Sequence, residues 1–137
     1  MKVPRRPPRS EKLGVARRTN NMNTKRIVPD ITSGRIDESR KFYTEFLGLE
    51  LAMDMGWILT FVAPNNPAAQ VTLLADPNKA ALHPQITIEV SDIDAFYADA
   101  LAKKLQIAYP ITNEPWGVRR FFVVDPNGAI INIMSHR

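Results

Sequence analysis

Two carboxylates, Asp30 and Glu89, and the chain's two histidines, His83 and His136, are the groups best suited to metal ligation or proton transfer. Each carboxylate lies in a short extended apolar run. Strand residues of like parity share a face, so Asp30 goes with Val28 and Thr32, Glu89 with Gln85 and Thr87, and His136 with Asn132 and Met134. If those faces meet, Asp30, Glu89 and a histidine gather at one place. The spacing supplies no ligand motif beyond that shared parity. Each histidine also has a plainer reading: His83 opens a strand before Pro84, at a surface turn, and His136 is the penultimate residue, where chains fray.

The second chemical set is aromatic. Trp57, Phe61 and Trp116 lie on or beside extended runs, and with Asp30 and Glu89 they would wall a mildly acidic cleft. Such a cleft suits a small planar, aromatic or cationic organic molecule through stacking and cation–π attraction. Trp57 and Phe61 serve equally well as ordinary core. Trp116 is the stronger candidate, because a Pro115-Trp116-Gly117 loop leaves an aromatic less core to fill. Arg119 and Arg120 alternate faces. One, taken as Arg119, turns inward to meet a ligand anion or Glu89, and the other is solvated.

Other chemistries are excluded or unsupported. There is no cysteine, which removes disulfides, thiolate metal sites and cysteine nucleophiles and fits a cytoplasmic location. The serines show no nucleophile pattern with histidine and acid, and no glycine-rich phosphate loop appears. No apolar run approaches the roughly 20 residues that span a bilayer, and the first 21 residues lack the apolar stretch of a secretory signal.

The net charge of +4 is unevenly distributed. Residues 1–21 carry seven Lys/Arg and one acid, leaving 11 basic and 13 acidic side chains in the remainder. The domain proper is therefore mildly acidic and gives no reason to expect nucleic acid. Residues 1–22, with three prolines and few large apolar groups, read as a disordered basic tail, or as an early start with Met22 opening the domain.

From residue 23 to 137 the chain reads as one domain that runs twice through the same plan, with modules at 25–76 and 84–135. In the first, Lys25 to Thr32 is extended, and Asp37 to Leu47 is helical, with Phe42/Phe46 and Tyr43/Leu47 each four apart. Gly48 stops that helix, and Leu49–Met53, Trp57–Ala63 and Gln70–Ala75 are strands. Asp76 to Leu82 links the halves. In the second module, Gln85–Val90 is a strand and Ser91-Asp92 caps an amphipathic helix from Ile93 to Leu105, whose apolar stripe is Ile93, Phe96, Tyr97, Ala100, Leu101 and Leu105. Gln106–Ile111, Arg119–Val124 and Ala129–Ser135 are strands, the last two joined by the Asp125-Pro-Asn-Gly128 turn. The fold class is α+β: two tandem βαβββ modules forming curved mixed sheets around a cleft.

Two motifs, Arg40-Lys-Phe-Tyr-Thr-Glu-Phe-Leu-Gly-Leu49 and Trp116-Gly-x-Arg-x-Phe-x4-Asp125-Pro-Asn-Gly128, are specific in combination. On them, residues 25–135 resemble the glyoxalase/bleomycin-resistance/dioxygenase superfamily, the vicinal oxygen chelate fold. Enzymes of that family typically hold one divalent ion with His and Glu side chains from the first and last strand of each module. The resemblance carries those positions to Val28, Thr72, Gln85 and Asn132. Val28 cannot ligate a metal, and the other three are neutral oxygen donors, poor ligands for Zn, Ni, Fe or Mn. The sequence therefore implies no metal and no cofactor. The rescuing alternative is a slipped site of Asp30, Glu89 and His83 or His136.

Three functions compete. The first is a metal-free binding protein like the bleomycin-resistance branch, sequestering a drug or metabolite. Its ligand-binding residues would be Asp30, Trp57, Phe61, Gln85, Glu89, Trp116, Arg119 and Asn132. The second is a metal-dependent lyase or dioxygenase of the glyoxalase type. The third is a non-catalytic partner subunit. A homodimer is expected in each case, with neither nucleic acid nor membrane as partner.

Overall fold

The computed structural model describes residues 22–75 and 82–137. The basic tail and most of the inter-module link lie outside the described residues. The first module comprises β1 (Thr24–Ser33), α1 (Ile36–Lys41) continued by a π-helical turn (Phe42–Phe46), β2 (Glu50–Asp54), β3 (Ile58–Ala63) and β4 (Asn66–Ala75). The second comprises β5 (Ile86–Val90), α2 (Ile93–Ala102), β6 (Ile107–Asn113), β7 (Val118–Val124) and β8 (Ile130–His136).

The strands form one eight-stranded mixed sheet, ordered β2-β3-β4-β1-β5-β8-β7-β6. Each module pairs its first strand in parallel with its last, β1 with β4 and β5 with β8. The modules join where β1 and β5 run antiparallel, with Val28 opposite Thr87. The sheet is curved and open, ending at β2 and β6.

Strand alternation sorts the side chains between two faces. On one face, Leu59, Phe61, Val71 and Leu73 pack with Ile36, Tyr43 and Leu49 around the first helix. The equivalent core of the second module gathers Val90, Phe121, Ile131 and Ile133 against Ile93, Phe96, Tyr97 and Ala100 of α2. The opposite face carries the even-numbered residues of β1, β4, β7 and β8 and the odd-numbered ones of β5. That face lines the cleft.

Local chemistry fixes the ends of these elements. Asp92 caps α2, its carboxylate accepting from the Ala95 amide at 3.1 Å. Asp125 organises the last hairpin by accepting from the amides of Asn127 and Ala129, both at 2.8 Å, and Gly128 takes φ 84° to close it.

Two helical expectations need correction. The Phe42/Phe46 and Tyr43/Leu47 pairs assume α-helical winding, yet the chain widens there and Leu47 N–H donates to Phe42 O, five residues back, at 3.1 Å. Only Tyr43 reaches the sheet, stacking on Phe61 at 5.2 Å, while Phe42, Phe46 and Leu47 stay exposed. The second helix ends at Ala102 rather than Leu105, because Lys104 turns left-handed with φ 56°. Leu101 and Leu105, expected in its apolar stripe, are exposed. Strand β4 also begins at Asn66, four residues before the expected Gln70: a bulge near Ala63 extends the β3–β4 ladder through Asn-Pro-Ala-Ala, a stretch with no strand signal of its own.

Candidate functional site

The face opposite the helices forms a cleft of about 550 Å³ spanning the seam of the two modules. Register places its central groups. Thr87 pairs with Val28 across the seam and with Asn132 on β8, while Asp30 pairs with Thr72 on β4. A hydrogen-bond chain follows: Thr87 Oγ1 donates to Asp30 Oδ2 at 2.6 Å, and Asn132 Nδ2 donates to Thr87 Oγ1 at 3.1 Å. The outer atom of the chain, Asn132 Oδ1, is buried and has no hydrogen-bond partner among the described residues. Burial pushes the Asp30 carboxyl from its ordinary 3.8 up to about 6, opposed by the Thr87 hydrogen bond and the positive charge of Arg120.

The cleft's two arginines are both paired. Arg26 Nε donates to Glu89 Oε1 at 2.6 Å and its Nη1 to Gln70 Oε1 at 2.5 Å. His136 Nε2 lies 3.6 Å from the other oxygen of Glu89. On the second module, Arg120 Nη2 meets Glu114 Oε2 at 2.8 Å, and Tyr109 Oη donates to Glu114 Oε1 at 3.1 Å. The Arg120 guanidinium lies 4.8 Å from the Phe122 ring centre, 5.0 Å from Trp116 and 5.4 Å from Tyr109, an aromatic cage built into the protein. The opposite wall is apolar, formed by Met53, Met55, Trp57, Ile58 and Leu74.

The structure thus brings four of the sequence-derived candidates, Asp30, Trp57, Trp116 and Asn132, to one cleft. It separates the others. Phe61 belongs to the core on the far face, fully buried beneath Tyr43. Gln85 precedes β5, is exposed, and accepts the Ile130 amide on its side-chain oxygen at 2.6 Å. Glu89 has cleft-side parity, but Arg26 binds one of its oxygens and His136 lies beside the other. Arg119 points away and pairs with Asp94 at 2.9 Å, so the arginine entering the cleft is Arg120. Parity alone could not choose between the two arginines, because the apolar run Phe121–Val124 beside them marks neither face.

Thr87, Arg26, Glu114 and the two methionines went unassigned. Thr87 was visible as a parity mate of Glu89, whereas Glu114 sits in a loop with no periodic signal.

The positions that the family resemblance gives for metal ligands do not form a donor set. Val28 brings an alkyl group, the Thr72 hydroxyl lies 3.3 Å from that of Thr60, Gln85 faces elsewhere, and the Asn132 amide is held by Thr87. Nor does the slipped alternative assemble: among the described residues, no three or more His, Cys, Asp or Glu side chains group so as to hold a metal ion. These residues do not fit a catalytic divalent ion.

A family model described as Glyoxalase/Bleomycin resistance protein/Dioxygenase superfamily matches residues 25–133. Among solved structures, a superfamily member from Vibrio splendidus is 18% identical with a TM-score of 0.60, covering 82% of this chain and 99% of its own. Methylmalonyl-CoA epimerase from Mycobacterium tuberculosis is 17% identical with a TM-score of 0.64, covering 83% and 87%. The Streptomyces coelicolor enzyme of that name is 18% identical, also with a TM-score of 0.64, covering 83% and 99%. At such identities the likeness speaks for the fold alone. No curated protein sequence matches this chain.

Proposed function

The chain belongs to the Glyoxalase/Bleomycin resistance protein/Dioxygenase superfamily, and from that premise we propose that it binds a small organic molecule in its seam cleft without a metal ion. One observation carries the reading: where the family resemblance calls for convergent metal ligands, the cleft presents Val28, Thr72 and Asn132, with Gln85 turned away. What remains has the makeup of a ligand pocket. About 550 Å³ lies within the range of small-molecule sites, the walls are largely apolar and aromatic, and a few polar groups converge at the centre. A metal-dependent lyase or dioxygenase would need at least three His, Asp or Glu side chains to meet, and none do among the described residues. The homodimer expected from the sequence belongs to the same proposal, with exposed Phe42, Phe46 and Leu47 as apolar surface for a second copy to cover.

The test is binding of a neutral solvatochromic naphthalene dye to chelator-treated protein. Saturable binding is expected. It should weaken several-fold in Trp57→Ala, which removes an exposed wall residue at a stability cost within about 1 kcal/mol. Binding only after divalent metal is added would contradict the reading.

A further inference from the structure

The hydrogen-bond chain at the centre of the cleft has a direction, and that direction constrains what can bind. The single proton of the Thr87 hydroxyl goes to Asp30 Oδ2. The Thr87 oxygen can then only accept, which orients the Asn132 amide with its NH₂ toward Thr87 and its carbonyl oxygen outward. Asn132 Oδ1 is buried with no partner, and the hydrogen bond from Thr87 reaches Asp30 through Oδ2, which leaves Oδ1 open among the described residues. These two open valences are both acceptors and bracket one threonine, while an unmet donor, the buried Arg120 Nε, lines the same cleft. An unmet buried acceptor costs about 1–3 kcal/mol, which a ligand supplying the missing donor recovers.

Charge points the same way. Arg26 is ion-paired with Glu89, and Arg120 with Glu114 through Nη2, although Arg120 Nε has no hydrogen-bond partner among the described residues. Among the described residues lining the cleft, Asp30 is left as the one charged side chain without an ion pair. Resting on the metal-free reading above, we propose that the ligand is an amphipathic organic cation whose head carries at least two N–H donors, as an amidinium or primary ammonium does. The head hydrogen-bonds Asp30 Oδ1 and Asn132 Oδ1 together. Its apolar body lies toward Trp57, Met53 and Met55, where flexible thioethers adapt to the shape they meet. A carboxylate head would face two acceptors and an anion, and a neutral amide would satisfy the same acceptors without the charge.

The experiment compares naphthamidine, naphthamide and naphthoate, one apolar body with three heads, by NMR titration of the full chain. At about pH 7.5, where a carboxyl of this pKa is ionised, naphthamidine should bind at least about ten-fold more tightly than naphthamide, with naphthoate weakest. The preference for naphthamidine should shrink as pH falls below about 6 and collapse in Asp30→Asn, which keeps an acceptor for Thr87 and hence the local fold. Equal or tighter binding of naphthamide or naphthoate would overturn the cationic head and leave the cleft reading intact. An amidine preference unchanged in Asp30→Asn would overturn the assigned anchor. Failure of all three probes to bind would overturn both the anchor and the metal-free pocket beneath it.

Discussion

Glu114 and Arg120 form a pair whose worth lies in what its loss would leave behind. Glu114 is buried, and its carboxylate takes one oxygen to Arg120 and the other to Tyr109. Replacing it by Gln strips the charge partner from a guanidinium held among three aromatic rings. Glu114→Gln should therefore cost about 2–4 kcal/mol in chemical denaturation. Arg119→Ala, which removes an exposed pair with Asp94, should change stability by no more than about 1 kcal/mol.

Asp30 gives a pH signature of the opposite sense to a salt-bridged carboxylate. Its folded pKa of about 6 exceeds its ordinary 3.8, so the folded state holds the proton more tightly than the unfolded one. This group's contribution to stability is full below about 3.8 and is lost as pH rises through about 6. Thermal melts from about pH 4 to 7 should show that decline in the wild type and a flatter profile in Asp30→Asn. At this scale the sequence was half legible. Strand parity brought Asp30 and Asn132 to one face, but it could not show that the Arg26–Glu89 pair would close across the seam, because such a contact depends on inter-strand register.

Elements were easier to read than their edges. The apolar stripe Ile93, Phe96, Tyr97 and Ala100 placed α2 on the sheet correctly, since Val90, Phe121, Ile131 and Ile133 offer it a complementary face. Its end was not legible, because Leu101 and Leu105 continue the apolar composition without being covered. In the first helix the four-residue spacing presumed a regular α-helix, which the π-helical turn breaks. The cap at the start of α2 offers a check at this scale. Asp92 satisfies the Ala95 amide, and Asp92→Ala should lower stability by about 1 kcal/mol, read as a shifted unfolding midpoint. Cleft binding should be unchanged, because α2 packs on the far face of the sheet.

For the molecule as a whole, the βαβββ repeat was legible because both passes show the same element order, and the structure adds that each pass pairs its first and last strands in parallel. The content of the seam was less accessible. The resemblance pointed to Gln85, yet across from Asn132 the sheet places Thr87, two residues on. That offset replaces a neutral amide side chain with a hydroxyl that donates to Asp30, giving the cleft a polar centre with a direction. The central claim is that this centre serves an organic ligand and not a metal ion. It is tested most directly by elemental analysis of tag-free protein incubated with Mn, Fe, Co, Ni and Zn and then desalted. The account predicts retention far below one equivalent per chain, since no anionic or imidazole donor set converges among the described residues. Retention of about one equivalent of any of these ions, lost on mutation of Asp30 or Asn132, would contradict it.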